Sequence, residues 1–361
     1  MQDPRIAELA RILVTYSMAV QPGELVLIAG EESAKPLALE VYRQVLRAGG
    51  HPLLRLEPDE AQEILLREGS EAQLRWVNPV SLYQAEHVAA YVSIHAPANL
   101  KAHSSIDPQR IVWMRAAMWP VREILLRKRW VVTQFPTPAL AQEAEMSLAE
   151  YEDFLFGATN RDWQALSAAL HEWKRILEAG REIRIVGPGT DLTLSVAGRT
   201  WIPADGKHNM PDGEIFTGPV EDSARGYITF DYPAIYLGKE VDGIRLEFEH
   251  GKVVKASASK NEDFLLATLD ADAGARYLGE LGIGTNFGIT RFTRSILFDE
   301  KIGGTVHLAI GRSYPETGGR NESTVHWDMI KDLRRGGALY LDGELIQQDG
   351  RFVIGPELPQ S

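Results

Sequence analysis

The chain has 361 residues, a formal net charge of −12 and no cysteine, with 44% hydrophobic and 24% charged residues. This composition is typical of a globular protein of about two domains, and its acidic balance argues against a nucleic-acid partner. The lack of cysteine excludes disulfides, thiolate zinc sites and a cysteine nucleophile, so any metal ligands must be His, Asp or Glu.

The first 160 residues are predicted to form an α/β domain with a mostly parallel sheet. Residues 3–19 have the pattern of an amphipathic helix, and the continuous apolar run 25–29 indicates a buried strand. The next helix is predicted to begin at a Ser33 cap and to end at Gly49-Gly50. Strands at 53–56, 87–94 and 130–135 follow, with a helix over 107–128. Strands that alternate with helices imply βαβ units.

Residues 161–361 are predicted to form an α+β domain with a mainly antiparallel sheet. Helices over 147–157 and 162–179 lead into it, the second capped by Asp162. Alternating stretches indicate strands at 184–196, 228–237, 244–248 and 253–258. Glycine turns at Asp242-Gly243, His250-Gly251 and Asp342-Gly343 indicate hairpins. One further helix is predicted over residues 261–278.

Several familiar signals are absent from the sequence. It contains no G-x-S-x-G elbow and no Walker A loop. His171-Glu172 lies on a predicted helix, but Arg175 occupies the position at which H-E-x-x-H requires its second histidine. No apolar run of about 18 residues and no secretion-signal pattern occurs, so we expect a cytoplasmic protein without a membrane partner.

Acidic residues and histidines downstream of residue 205 are candidates for metal binding. His326 and Asp328 are two apart in an expected strand, so their side chains face the same side. Gly303-Gly304 can turn the chain between Glu300 and His307, which would place these two residues across a hairpin. Carboxylate and imidazole ligands together suit Zn, Co or Mn.

Two further acids, Glu214 and Glu280, border glycines in apolar segments, where an unpaired charge is costly. Together with Glu300 and Asp328 they would balance two divalent cations, and such a pair can activate water and polarise a carbonyl. Each of these segments taken alone also fits an ordinary turn or surface segment. Spacing alone therefore leaves both interpretations open.

Four segments resemble the M29 metallo-aminopeptidases, the aminopeptidase T and aminopeptidase S group. They are N-M-P-D-G-E-I-F-T from residue 209, E-L-G-I-G-T-N from residue 280, D-E at 299 followed by H-L-A-I-G, and H-W-D from residue 326. The segment 16–24 also looks like the N-terminal domain of that family. The resemblance thus covers nearly the whole chain and implies a metal-dependent aminopeptidase.

The resemblance also implies roles for particular residues. The metal ligands would be Glu214, Glu280, Glu300, His307, His326 and Asp328, with Glu280 bridging two divalent cations. Either Glu280 or Glu300 would be the general base, and Tyr314 would donate a hydrogen bond to the oxyanion. The family further implies a homodimer that acts on short peptides.

Two alternatives share the fold that the resemblance implies. One is a mononuclear non-haem iron dioxygenase that opens aromatic rings with His307, His326 and Asp328 as ligands. The other is a non-catalytic relative that keeps a structural metal. The three glutamates favour the two-cation interpretation, since a single iron does not need so many acids. The seven-residue interval between Glu300 and His307 departs from the family pattern, in which it is shorter.

Overall fold

A computed structural model of the chain describes residues 3–359. The chain divides into two compact units, the first formed by Met1–Arg161 and Gly206–Pro211 and the second by Asp162–Asp205 and Asp212–Ser361. The segment 206–211 therefore belongs to the first unit, although the sequence analysis assigned it to the C-terminal domain.

The strands carry the numbering used below. In chain order they are β1 (Leu25–Glu31), β2 (His51–Glu57), β3 (Ala90–His95), β4 (Arg129–Gln134), β5 (Glu182–Gly187), β6 (Thr190–Ser195), β7 (Ile202–Ala204), β8 (Asn209–Met210), β9 (Glu214–Thr217), β10 (Arg225–Thr229), β11 (Ala234–Tyr236), β12 (Lys239–Val241), β13 (Arg245–Glu249), β14 (Lys252–Ser257), β15 (Leu278–Gly284), β16 (Thr305–Gly311), β17 (His326–Asp332), β18 (Ala338–Leu341), β19 (Glu344–Gln348) and β20 (Arg351–Phe352).

The helices connect these strands in the first unit and are fewer in the second. They are α1 (Pro4–Ile12), α2 (Lys35–Arg47), α3 (Asp59–Glu68), α4 (Glu71–Leu74), α5 (Pro79–His87), α6 (Pro108–Leu126), α7 (Pro138–Glu143), α8 (Leu148–Thr159), α9 (Trp163–Ala179), α10 (Glu262–Leu269) and α11 (Ile296–Asp299).

The first unit contains a parallel sheet in the order β2-β1-β3-β4-β8, which confirms the predicted α/β class. Val26 and Ile28 in β1 are fully buried, as the continuous apolar run predicts for a parallel strand. The strand predicted from residue 87 begins later, because His87 ends α5 and β3 starts at Ala90.

The helix ends of the first unit are capped in different ways. The side chain of Asp3 accepts a hydrogen bond from the Arg5 backbone and caps α1, which continues into a π-helical turn at Leu13–Ser17. The predicted Ser33 cap is wrong, because Ser33 lies inside a 3-10 turn and α2 begins without a side-chain cap. Gly49 follows α2 with φ +80°, a conformation that glycine adopts without strain.

The second unit is mainly antiparallel, as predicted. Its larger sheet has the order β14-β13-β10-β6-β5-β18-β19-β20, a smaller one has the order β17-β16-β15-β9-β7, and β11 and β12 form a separate two-stranded sheet. The turns at His250-Gly251 and Asp342-Gly343 have positive φ at both residues and close hairpins. The hairpin predicted at Asp242-Gly243 is wrong, because β12 and β13 belong to different sheets.

The helix predicted over 261–278 is too long, since α10 ends at Leu269 and β15 begins at Leu278. The intervening segment is held by Asp272, whose carboxylate accepts hydrogen bonds from the Ser323 hydroxyl and from the backbone and hydroxyl of Thr324. This tertiary contact replaces the helix that local propensity favours. Among residues 3–359, no helix is both long and apolar enough to cross a membrane.

Candidate metal centre

The smaller antiparallel sheet of the second unit has one apolar face and one face that carries the predicted ligands. On the apolar face Leu281 pairs with Leu308, and both side chains are buried. On the other face the register places Gly282 opposite His307 and Gly284 opposite Glu214. Since neighbouring side chains along a strand alternate, the ligands that strands β9, β15, β16 and β17 carry all project from this second face.

Residues with little or no side chain leave room for these ligands. Glu280 and Asp328 both stand opposite Ala309, and His326 stands opposite Gly311. A Cβ at Gly282 would lie only 2.0 Å from His307 Cε1, so the imidazole ring rests against the bare backbone of β15. The backbone therefore forms the floor of the site.

Five of the six predicted ligands form two overlapping groups. Glu214, Glu280 and His307 make the first group, and Glu280, His326 and Asp328 make the second, with one ligand atom of each residue within 4.8 Å of the others. Glu280 Oε1 lies 3.4 Å from His307 Nε2, while Oε2 of the same carboxylate lies 3.4 Å from His326 Nε2. Glu280 thus has one oxygen in each group.

The outer members of each group complete the geometry. Glu214 Oε2 lies 3.2 Å from His307 Nε2, and Asp328 Oδ2 lies 3.7 Å from His326 Nε2. Each imidazole therefore directs its Nε2 toward two carboxylates. All of these residues except His326 and Asp328 are buried, and those two are only slightly exposed.

The electrostatics of the site call for positive charge in each group. Burial alone would lower the pKa of both histidines, but the Glu280 hydrogen bonds and the surrounding carboxylates raise it to about 10 at His307 and about 9 at His326. Burial alone would raise the pKa of Glu280, but the two histidines lower it to about 2. Burial raises the pKa of Glu214 well above its usual value and that of Asp328 to about 6.

Two further observations fit a divalent cation in each group. Glu214 Oε2 is buried and, apart from its ion pair with His307, has no hydrogen-bond partner among the described residues. His326 Nδ1 lies 2.8 Å from the Arg312 carbonyl oxygen, which can only accept, so this nitrogen carries the hydrogen. In the neutral imidazole, which is the form that binds a metal, the lone pair of Nε2 then faces the carboxylates, as in metal-binding histidines whose other nitrogen is held by a backbone carbonyl.

Glu300 lies beside the two groups and belongs to neither of them within the described residues. It follows the last residue of the short helix α11, so it does not stand across a hairpin from His307 as predicted. Its carboxylate instead pairs with the ammonium of the neighbouring Lys301. The turn at Gly303-Gly304 does occur and leads directly into β16.

Lys301 is a site residue that the sequence analysis missed. Its side chain is fully buried, and its Nζ lies 3.5 Å from Glu214 Oε1 as well as against Glu300. Burial alone would lower the pKa of Lys301, but the Glu300, Glu214 and Asp212 carboxylates raise it well above its usual value. The only signal in the sequence was its position next to Glu300, and that does not distinguish a buried lysine from an exposed one.

Tyr314 lies at the edge of the second group. Its ring packs edge-on against His326, with the ring centroids 5.0 Å apart, and against Phe216 at 5.7 Å. Burial first, and then the charges of Glu280 and Asp328, raise the pKa of its phenol above the usual value. Tyr314 therefore keeps its hydrogen and can donate it in a hydrogen bond.

Comparison with known proteins places these observations in a family context. Residues 2–352 match the family model described as thermophilic metalloprotease (M29). The chain is 27% identical to aminopeptidase 2 of Geobacillus stearothermophilus over 91% of this chain and 92% of that protein. It is 31% identical to aminopeptidase T of Thermus thermophilus over 62% of this chain and 65% of that protein. The solved structure of wild-type AmpT from Thermus thermophilus matches with a TM-score of 0.86 at 25% identity, covering 97% of this chain and 99% of that one.

Proposed function

The chain belongs to the M29 family of metalloproteases, and we propose that it is a metallo-aminopeptidase that removes N-terminal residues from short peptides with two divalent cations. The observation that carries the proposal is the pair of donor groups that share Glu280 on one face of a sheet. The family relatives named aminopeptidase support the reaction class. A mixed set of carboxylates and imidazoles suits Zn, Co or Mn.

Each donor group would hold one of the two cations. Glu214, Glu280 and His307 would hold one cation, and Glu280, His326 and Asp328 the other. The cations would supply Lewis acidity that activates water as a nucleophile and polarises the scissile carbonyl at neutral pH.

Glu300 is our choice for the general base. Both oxygens of Glu280 already face histidines of the two groups, whereas Glu300 is fixed beside them by Lys301. The Glu300 carboxylate would accept a proton from the attacking water and pass it to the leaving amine. The phenol of Tyr314 would donate a hydrogen bond to the oxyanion that forms at the scissile carbonyl.

The charges of the buried residues agree with two divalent cations. With the carboxylates of Asp212, Glu214, Glu280, Glu300 and Asp328 ionised and both histidines neutral, which is the form that binds a metal, the Lys301 ammonium leaves the site with a charge of −4. Asp299 adds nothing at neutral pH, because burial raises its pKa to about 8. Two divalent cations therefore neutralise the buried set.

The proposal extends to the assembly and the location of the protein. The resemblance of nearly the whole chain to the M29 family supports a cytoplasmic homodimer that admits short peptides and excludes folded proteins.

Chelation and metal restoration test the proposed function. Prolonged treatment with a chelator should abolish the cleavage of alanyl and leucyl anilides, and Zn, Co or Mn should restore it with two cations bound per chain. The readouts are initial rates and the metal content after dialysis. A single ferrous iron per chain, or no cleavage of any aminoacyl anilide after restoration, would contradict the proposal.

Gly282→Ala should weaken cation binding without adding or removing a ligand. The new methyl carbon would lie 2.0 Å from His307 Cε1, so the imidazole must move away from the carboxylates. We expect cation affinity to fall about 10- to 100-fold, as for residues that orient a metal ligand. Titration of the metal-free protein with Zn, followed by calorimetry, measures this change.

Gly157→Ala is the matched control for that substitution. A Cβ at Gly157, in α8, meets no described atom within 4 Å. Cation affinity should stay the same, while stability should rise by about 0.5–1 kcal/mol because alanine favours the helix. Equal affinities of Gly282→Ala and Gly157→Ala would show that His307 does not bind the cation.

A further inference from the structure

A small cavity adjoins the candidate metal centre within the second unit. It has a volume of about 190 Å³ and is lined by residues from the three segments 233–236, 292–299 and 326–330. His326 and Asp328, both members of the second donor group, form part of its wall. A space of this size holds roughly six water molecules at about 30 Å³ each, and therefore one side chain of a peptide.

Two aromatic residues of the wall are fixed by packing behind them. Tyr236 stacks on Trp327 with ring centroids 5.3 Å apart and an interplanar angle of 20°. Phe292 stacks on Tyr232 at 5.0 Å and 10°. Such stacked rings keep their orientation, so the cavity has a defined apolar shape before any ligand enters.

The ionisable groups of the wall that lie outside the two donor groups already have partners within the protein. Arg294 pairs with Glu240, with Nε 3.2 Å from Oε2. Asp299 accepts hydrogen bonds from the Thr293 backbone and hydroxyl at 2.7 and 2.9 Å. A charged ligand side chain would find no described group of opposite sign whose charge is not already compensated, apart from the metal ligands themselves.

Two large apolar side chains of the wall remain exposed. Ile235 in β11 is 38% exposed and Ile296 in α11 is 49% exposed. An apolar ligand side chain in the cavity would bury this area, at about 25 cal/mol per Å².

We propose that this cavity is the subsite for the side chain of the substrate's N-terminal residue, and that the enzyme prefers apolar residues such as leucine, methionine and phenylalanine there. The inference rests on the proposed aminopeptidase function. The substrate of an aminopeptidase has a single residue on the N-terminal side of the scissile bond. The enzyme therefore needs space for one side chain there, next to the groups that hold the scissile carbonyl. The downstream side must accommodate the rest of the peptide, which a cavity of this volume cannot do.

Two substitutions, each in a different segment of the wall, test the proposal by adding a negative charge to the cavity. Ile235→Glu and Ile296→Glu are assayed, fully loaded with metal, on alanyl, leucyl, phenylalanyl and lysyl anilides. The native enzyme should favour leucyl over alanyl anilide at least about 10-fold in kcat/KM, because each methylene in an apolar pocket contributes about that much. Both variants should lose this preference and gain activity toward lysyl anilide relative to alanyl anilide.

The alanyl anilide and a control variant make the outcomes distinct. Val254→Glu changes a side chain that is also 49% exposed but lies on β14, outside the cavity, and should leave every ratio unchanged. No cleavage of any of the four anilides by the native enzyme would refute the proposed function itself. Normal cleavage of alanyl anilide with an unaltered leucyl preference in both variants would overturn the subsite alone.

A second substrate series separates the two sides of the scissile bond. For dipeptides with N-terminal alanine and a varied second residue, the relative values of kcat/KM should be the same in the native enzyme and in both variants. If the variants instead change the preference for the second residue, the cavity binds the leaving residue and the assignment is overturned.

Discussion

Glu280→Gln should remove both cations and lower kcat/KM by at least about 10³-fold. One oxygen of this carboxylate faces each donor group, so the amide leaves each cation with one anionic ligand fewer. The expected loss exceeds the 10- to 100-fold effect of a residue that only orients a ligand, because a bond to the metal itself is lost. Metal content after dialysis and kcat/KM on leucyl anilide are the measurements.

The variant His326→Ala tests whether the two donor groups hold separate cations. His326 belongs to the second group only, so its loss should leave one cation bound by Glu214, Glu280 and His307. Glu247→Gln, on β13 in the larger sheet, should keep both cations and full activity. Equal metal content in Glu280→Gln and the native enzyme would refute the bridging role of Glu280.

Lys301→Met should destabilise the metal-free protein by about 3–5 kcal/mol. The substitution preserves much of the side-chain volume but removes a fully buried ammonium from beside Glu214 and Glu300. Removal of one partner from a buried ion pair leaves the other charge without compensation, and losses of this size follow. The urea midpoint of the metal-free protein should fall at an unchanged slope.

A second buried lysine provides the control for this effect. Lys331 is almost fully buried and pairs with Asp231 at 3.0 Å, but the Asp231 side chain is 39% exposed. Water can therefore hydrate Asp231 after Lys331→Met, so we expect a smaller loss of about 1–3 kcal/mol and unchanged cation binding. If Lys301→Met lost no more stability than Lys331→Met, the stabilising effect of Lys301 would not come from its pairing with the Glu214 and Glu300 carboxylates.

The sequence predicted those parts of the fold and site that depend on local periodicity. The apolar run at 25–29 is a central strand of the parallel sheet, and the two-residue spacing of His326 and Asp328 does bring their side chains together. Both follow from the alternation of side chains along a strand. The family resemblance then singled out Glu214, Glu280 and His307, which lie far apart in the chain.

The features that the sequence did not predict depend on contacts between distant residues. Local propensity favours a helix through residues 270–277, but hydrogen bonds from Ser323 and Thr324 to Asp272 hold that segment in another conformation. The position of Glu300 at the end of α11 and the burial of Lys301 are likewise set by packing around the site. Neither has a periodic pattern that could reveal it.

The secondary-structure elements that carry the site have a consequence for evolution. Most of the proposed cation ligands stand on β15, β16 and β17, seven-residue strands of one continuous sheet, whereas the exposed isoleucines beside them stand on the three-residue β11 and the four-residue α11. Substitutions of exposed side chains in such short elements disturb few neighbours, while changes in the central strands disturb many. Under the proposed subsite, related proteins can therefore change their preference for the N-terminal residue of a peptide while they retain the cation ligands.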